Sequence, residues 1–364
     1  MKYAIFLSFA FLFATTIETP KDPHLILEKH GIVLLKQPEI TSLSIAAIKD
    51  GKTYKLHLGK LHDGNAPDDD TLYEIASLTK TFTGTLLAKA VAEEKVNIDD
   101  DIRLYMDGNF TNLEYEGNPI TFRHLLTHTS GLPRMFPIAD SLFENPDYDK
   151  LPFEIFKLQK NYSKTQFFEA LVQVKLDTIP GHKFSYSNAG ANLIGYTLEN
   201  LNQKPFETLL KEYIFKPLDM KSSSIIPSND TKTYLATGFN HNGIEMPFNP
   251  NKAMSAEGGI KSSLGDMVKY MKFHLNTSDT IVRVSHTELH EGKYGDYENG
   301  FFWQIFKDGP KPDKIFQNGG AFGTMCWMTL IPETQTGVFI VTNVSGPGVH
   351  QKLAETVEAI IDEL

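Results

Sequence analysis

The most informative short segment of this chain reads Ser77-Leu78-Thr79-Lys80, and it opens a run of small and apolar residues that ends near Glu94. Apolar side chains recur every four positions in this run, at Leu78, Phe82 and Leu86, which predicts a helix over residues 77–94. Alanine and glycine occupy its other faces, and a helix without a polar face is usually buried between layers. The segment therefore predicts a buried helix that begins at Ser77.

The spacing of Ser77 and Lys80 places a hydroxyl and an amine on one helical face. In a first helical turn the N–H of the serine has no partner within the helix, so it can stabilise an oxyanion. Free lysine has a pKa of about 10.4, and burial favours its neutral form, so a desolvated lysine can accept a serine proton. The pair thus predicts a nucleophile and its base. The alternative is a surface lysine one turn after an N-cap serine.

A second candidate segment reads Phe184-Ser185-Tyr186-Ser187-Asn188, and it lies between a Pro-Gly turn and a helix predicted over residues 189–202. The Tyr186 hydroxyl can share a proton with Lys80 and pass it to a leaving group. The Asn188 amide can both donate and accept a hydrogen bond with a substrate amide. The same spacing recurs at Tyr297, in a glycine-rich lead into a strand, where a structural role is favoured.

A third segment reads Gln317-Asn318-Gly319-Gly320, and it precedes a strand predicted over residues 325–331. Glycines at the edge of a strand let a substrate backbone approach closely and leave N–H groups unblocked. A plain hairpin turn is the alternative interpretation of these four residues.

Strand and helix patterns along the chain predict an α/β (α+β) fold. We predict strands over residues 42–49, 53–58, 301–306, 325–331 and 338–343, and helices over residues 165–174, 189–202 and 349–364. Strands therefore lie near both ends of the chain. The expected architecture is an antiparallel sheet flanked by helices, formed by residues 22–110 and 250–364, with an inserted, mainly helical lobe over residues 111–249.

The composition is that of an ordinary globular protein, with 364 residues of which 41% are hydrophobic and 22% are charged. A net charge of -10 without a basic run argues against nucleic-acid binding. The single cysteine, Cys326, rules out an internal disulfide and a thiolate metal cluster. His124/His128 and His286/His290 have helical spacing but lack the His-Glu-x-x-His pattern, so we predict no metal site.

Residues 1–18 predict a signal peptide. Lys2 precedes an apolar run from Tyr3 to Ala14, which is too short to span a bilayer. A buried N-terminal strand or helix is the alternative. No later segment has 18 consecutive apolar residues, so no membrane span is predicted. We therefore expect a secreted or periplasmic protein.

The three segments, in this order, resemble the serine β-lactamase and penicillin-binding protein superfamily, in its class C-like branch. That branch also contains D-alanyl-D-alanine carboxypeptidases, D-aminopeptidases and family VIII carboxylesterases. Two further segments are similar to loops of the branch, one running from His124 to Leu132 and one from Ala256 to Met267. The resemblance extends from about Leu25 to Leu364. It implies a β-lactamase/transpeptidase-like fold and no metal or organic cofactor.

The resemblance also implies a role for each residue of the three segments. Ser77 would be the acylated nucleophile, Lys80 its base and Tyr186 the second acid/base group. Asn188 would position the substrate, and the N–H groups of Ser77 and Gly320 would form the oxyanion hole. The remaining residues with an implied role in substrate binding are Gln317, Asn318 and Gly319.

The chain departs from this family at Gln317, where β-lactamases and carboxypeptidases usually have Lys or His. That cation helps to bind the carboxylate of a penicillin or of a terminal D-alanine. Glutamine can donate a hydrogen bond but carries no charge, a loss of about 1–2 kcal/mol in a partly buried site. Lys314 and Lys352 are close enough in sequence to substitute for it.

The leading interpretation is an exported serine hydrolase that forms an acyl-enzyme on a small-molecule or peptide substrate. A small ester or a D-amino-acid peptide is favoured over a β-lactam because of Gln317. A non-catalytic peptide- or cell-wall-binding protein on the same fold is one alternative, and a transpeptidase that passes the acyl group to an amine is another.

Overall fold

The computed structural model describes residues 22–249, 252–289, 297–307 and 309–364. The predicted signal peptide lies outside the described residues. Within those ranges, no helix combines the length and the apolar character that crossing a membrane requires.

Helices occur throughout the described ranges. In chain order they are α1 (Pro23–Leu35), α2 (Thr79–Ala92), α3 (Phe122–Leu126), α4 (Leu151–Gln159), α5 (Lys164–Leu171), α6 (Asn188–Asn202), α7 (Phe206–Leu210), α8 (Asn229–Lys232), α9 (Leu264–Leu275), α10 (Thr280–Ser285) and α11 (Val349–Glu363). Helices α3 to α8 therefore fall in the stretch for which the sequence predicts a helical lobe.

Strands cluster toward the two ends of the described chain. They are β1 (Ser42–Lys49), β2 (Lys52–Gly59), β3 (Leu72–Glu74), β4 (Glu114–Tyr115), β5 (Asn118–Pro119), β6 (Phe239–Asn240), β7 (Lys261–Ser263), β8 (Glu298–Asn299), β9 (Gln304–Phe306), β10 (Lys314–Gly320), β11 (Met325–Ile331), β12 (Thr336–Thr342) and β13 (Val344–Ser345).

The main sheet has the strand order β2-β1-β12-β11-β10-β9-β8, and all its pairs are antiparallel. The N-terminal hairpin joins the C-terminal strands where β1 pairs with β12, with Leu43 opposite Thr342. The predicted antiparallel sheet uniting both ends of the chain is therefore confirmed.

Strand β1 is buried on both faces of this sheet because helices cover both sides. Its alternate residues Leu43, Ile45 and Ala47 belong to a core shared with α1 and α11. The residues between them, Ala46 and Ile48, point into the larger core that contains α2 and α9. The sheet thus separates two hydrophobic layers, and the larger one supports the candidate site.

One strand prediction is wrong in its first half. Residues 301–306 were expected to be extended, but only Gln304–Phe306 form a strand. The Gly300 N–H donates to the carbonyl of Trp303 at 2.8 Å, and Phe302 has a φ of 63°, so the chain turns there. The turn is packed tightly on α2, because a Cβ at Gly84 would lie 2.2 Å from the carbonyl oxygen of Phe301.

The helix α2 is buried as predicted, but it begins two residues later than expected. Ala76–Leu78 form a 3-10 turn in front of it. Ala76 has a φ of 46°, a left-handed conformation that interrupts the path from β3 into the helix. Ser77 therefore lies in a tight turn at the helix entrance rather than in the α-helix itself.

Candidate active site

The turn that carries Ser77 is held from two sides. The N–H of Ile75 donates to the carbonyl of Ile260 at 3.1 Å, which ties the turn to the segment before β7. On the other side Gly319 of β10 lies against the turn so closely that a Cβ there would be 2.0 Å from the carbonyl oxygen of Ile75. Only glycine permits this approach, and it fixes Ser77 relative to the end of β10.

Three of the predicted residues meet around one hydroxyl. The Ser77 Oγ lies 3.0 Å from the Nζ of Lys80 and 2.8 Å from the hydroxyl oxygen of Tyr186. The Lys80 Nζ also lies 5.0 Å from the centre of the Tyr186 ring. This arrangement gives the serine proton two possible acceptors at hydrogen-bond distance, which is the geometry that nucleophilic catalysis requires.

The Lys80 side chain is buried below Ser77, with 1% of its surface exposed. Besides Ser77 Oγ, its Nζ donates to the carbonyl oxygen of Glu257 at 2.6 Å. Two directional contacts at the end of a flexible side chain hold the amine in one position. The surface-lysine alternative for this segment is therefore wrong.

Tyr186 is positioned by His128, which the sequence places in a family-like loop without a role. The His128 carbonyl accepts from the Ser185 N–H at 2.7 Å, and its Nδ1 accepts from the Ser187 N–H at 3.2 Å. Burial, together with the nearby charge of Lys80, lowers the pKa of His128 to about 3. The neutral ring can therefore accept at Nδ1, and it packs 4.5 Å from the Tyr186 ring, centre to centre.

Asn188 begins helix α6 beside the same loop. Its backbone N–H donates to the carbonyl of Arg134 at 2.8 Å. Asn188 lines the cleft, but its side-chain Oδ1 is buried and has no hydrogen-bond partner within the described ranges. Hydrogen bonding of a substrate amide by Asn188 therefore stays a prediction.

The four residues of the third segment end strand β10, and the chain turns only after Gly320. The Gln317 amide is engaged with the backbone: its Nε2 donates to the carbonyl of Phe302 at 2.6 Å, and its Oε1 accepts from the Asn318 N–H at 2.9 Å. Gln317, Asn318 and Gly320 line the cleft. Gly319 packs behind them, against the turn that carries Ser77.

These residues surround a cleft of about 830 Å³. Its walls include the turn that carries Ser77, the start of α6, the loop around His128 and the end of β10. Its apolar lining includes Phe184 and Phe302, and its size suits a short peptide or a small organic molecule.

Glu257 is a residue of this site that sequence reasoning missed. Its carboxylate is 6% exposed and accepts from the Asn192 Nδ2 at 3.0 Å, while its own N–H donates to the Asn192 Oδ1 at 3.2 Å. Burial raises its pKa to about 7, although the nearby charge of Lys80 opposes the rise. The only sequence signal was its place in the family-like segment after Ala256, because a glutamate alone does not indicate burial.

Tyr297, where the spacing of Tyr186 and Asn188 recurs, is not among the residues that line the cleft. The ring of Tyr297 packs 4.9 Å from that of Phe316, centre to centre, in agreement with a structural role. No group of three or more His, Cys, Asp or Glu in the described part of the chain could hold a metal ion. His290 lies outside the described residues.

The chain is similar to several known proteins along most of its length. The chain is 26% identical to the D-alanyl-D-alanine-carboxypeptidase/endopeptidase AmpH of Escherichia coli (strain K12) over 371 residues, covering 96% of this chain and 92% of that protein. It is also 26% identical to Protein flp of Staphylococcus aureus (strain MRSA252), covering 85% of this chain and 61% of that protein.

Two solved structures share the fold. One is a beta-lactamase/D-alanine carboxypeptidase from Yersinia pestis complexed with citrate, with a TM-score of 0.78 and 22% identity over 94% of this chain and 98% of that chain. The other is a beta-lactamase/D-alanine carboxypeptidase from Pseudomonas syringae, with a TM-score of 0.76 and 20% identity over 93% of this chain and 98% of that chain. The family model described as Beta-lactamase matches residues 29–362. The chain therefore belongs to the Beta-lactamase family of serine hydrolases, as its sequence motifs predict.

Proposed function

We propose that this protein hydrolyses an amide or ester through an acyl-enzyme on Ser77, with Lys80 and Tyr186 as the acid/base groups. The observation that carries the proposal is the position of the Ser77 Oγ, within 3.0 Å of both the Lys80 amine and the Tyr186 hydroxyl. A site that only binds a ligand does not need a buried amine and a phenol at hydrogen-bond distance from the same hydroxyl.

Acylation begins when the Ser77 Oγ attacks the substrate carbonyl carbon and its proton passes to Lys80 or Tyr186. The N–H groups of Ser77 and Gly320 stabilise the oxyanion. The turn's first hydrogen bond is donated by Leu78 to Ile75, so the N–H of Ser77 is not used within the turn. The tetrahedral intermediate then collapses, the C–N or C–O bond breaks, and Tyr186 gives a proton to the departing nitrogen or oxygen.

Deacylation reverses these roles with water as the nucleophile. Water loses a proton to the same pair of groups as it attacks the acyl carbon, and the carboxylic acid product leaves as the Ser77 hydroxyl is restored. In each step the proton is carried by Lys80 or Tyr186, the two groups at hydrogen-bond distance from the Ser77 Oγ.

We propose a D-amino-acid peptide as the substrate. The relative AmpH is named a D-alanyl-D-alanine carboxypeptidase/endopeptidase, and Asn188, whose amide group can pair with a peptide group, lines the cleft. A small neutral ester is the second candidate, because Gln317 bears no charge and its amide is already bonded to backbone groups. Export to the periplasm or medium, directed by residues 1–18, is part of the same proposal.

The test is intact mass after incubation with a small fluorophosphonate, for the wild type and for Ser77→Ala. Ser185→Ala is a matched control, because Ser185 also lines the cleft but its hydroxyl is not a hydrogen-bond partner of Lys80. We expect one adduct in the wild type and in Ser185→Ala, and none in Ser77→Ala. Release of D-alanine from an acyl-D-Ala-D-Ala peptide then tests the substrate. A folded wild type that forms no adduct would favour the non-catalytic alternative.

A further inference from the structure

Gln317 carries no charge, but a cation lines the cleft at another position. Of the described residues that line it, Arg134 alone carries a fixed positive charge. The other basic side chains in the lining are His128 and His350, and burial lowers the pKa of both, which favours their neutral forms. Lys80 is buried below Ser77 and already bonded.

The two lysines that the sequence offered as substitutes are engaged elsewhere. Lys314 pairs with Glu358 of helix α11, and Lys352 pairs with Glu39. Neither lysine lines the cleft. Their positions therefore do not support either lysine as a substitute for the missing cation.

Arg134 is held at the cleft wall with its charge available. Its carbonyl accepts from the Asn188 N–H at 2.8 Å, which fixes its backbone beside α6. Its guanidinium carbon lies 4.5 Å from the centre of the Phe143 ring and 5.5 Å from that of Tyr186. It makes no ion pair with any carboxylate of the described chain. Contact with the faces of two rings leaves the N–H groups at the edge of the guanidinium free for an anion.

The position beside Tyr186 identifies which part of the substrate Arg134 would meet. Under the proposed function, Tyr186 protonates the departing nitrogen, so the leaving group lies on its side of Ser77. When the leaving group is a C-terminal amino acid, its carboxylate is attached to the carbon next to that nitrogen. We propose that Arg134 binds the terminal carboxylate of the leaving amino acid and so sets a preference for peptides with a free C-terminus.

The test compares two substrates that differ only in that carboxylate, an acyl-D-Ala-D-Ala peptide and the same peptide with a C-terminal amide. Arg134→Gln should lower kcat/KM for the free acid by about 10- to 100-fold, mainly through KM, because a charge-assisted hydrogen bond is lost. For the amide we expect less than a threefold change. Arg134→Lys should retain part of the preference, and Lys183→Gln, at an exposed cation outside the lining, should retain all of it.

Binding measurements separate this inference from the proposed function, on which it rests. In the Ser77→Ala background, calorimetry should give tighter binding of the free acid than of the amide, and Arg134→Gln should abolish the difference whether or not the wild type turns over. Equal losses for both peptides would mean that Arg134 only supports Tyr186. An unchanged preference in Arg134→Gln would overturn the inference.

Discussion

Replacing Glu257 by glutamine tests whether the site holds an ionisable group at a cost to stability. Burial raises the pKa of this carboxyl from 4.5 to about 7. Between these pH values the folded protein binds a proton that the unfolded chain has released, so the free energy of unfolding falls as the pH rises. A pKa difference of about 2.5 corresponds to about 3 kcal/mol, of which about 2–3 kcal/mol develops between pH 5 and pH 8.5.

Glutamine at position 257 cannot ionise but can still accept the hydrogen bond from Asn192. We therefore expect Glu257→Gln to be about as stable as the wild type at pH 5 and about 2–3 kcal/mol more stable at pH 8.5. Urea unfolding at pH 5, 7 and 8.5, followed by the fluorescence of buried Trp303, measures the difference. Other titrating groups also contribute to the pH dependence of the free energy of unfolding. Their contributions are the same in both proteins and cancel in the difference.

Glu144→Gln is the matched control, because Glu144 is exposed and its loss removes the same negative charge. It should follow the wild type across the pH range. The reasoning would be refuted if wild type and Glu257→Gln kept a constant difference from pH 5 to 8.5. A variant less stable than the wild type at pH 8.5 would instead mean that an ionised Glu257 stabilises the fold through Lys80.

Three further predictions concern the groups around Ser77. Lys80→Ala should leave the circular dichroism spectrum nearly unchanged and slow fluorophosphonate labelling by about 10²- to 10⁴-fold, and a normal labelling rate would contradict its role as base. Gln317→Lys should make acylation by benzylpenicillin about tenfold faster, because it adds a cation at the cleft. Intact mass over time measures the rate, and an unchanged rate would mean that carboxylates are bound elsewhere. Gly319→Ala should cost about 1–3 kcal/mol in urea unfolding and slow labelling, because its Cβ would collide with the carbonyl of Ile75. Gly190→Ala is its control: the nearest atom to the new Cβ would be 3.5 Å away, so stability and labelling should persist.

Local patterns predicted most of the sheet from the sequence. The strand predicted over residues 42–49 has those bounds in the structure, and so does Met325–Ile331. Both are dominated by apolar residues and are bounded by turn residues or glycine. The aromatic run from Phe301 to Trp303 also favours a strand, yet it bends because it packs against α2, and no local pattern reports that contact.

The candidate site was predictable where its residues share a short segment and not where they meet only through the fold. Ser77 and Lys80 are three positions apart, so helical geometry alone relates them. Glu257 and Arg134 are far from Ser77 in sequence, and only the packing of α6 and the loop before it brings them to the same cleft. A lone glutamate or arginine carries no signal of that position, which is why the sequence offered Lys314 and Lys352, and not Arg134, as possible substitutes for the missing cation.

Three residues that support the cleft have left-handed backbone conformations. Ala76, His128 and Phe302 all have a left-handed φ, of 46°, 57° and 63°, although none is glycine. Such conformations cost on the order of 1–3 kcal/mol each and persist only where surrounding contacts impose them. Each supports one part of the site. Ala76 precedes Ser77, and His128 holds the loop of Tyr186. The carbonyl oxygen of Phe302 accepts a hydrogen bond from the Gln317 amide. The same conformation occurs at six other non-glycine residues of the described chain, among them Asp50 and Gln335, so it does not by itself mark a catalytic site. Under the proposed function, the three supports would keep the hydroxyl, the amine and the phenol at the distances that the reaction requires.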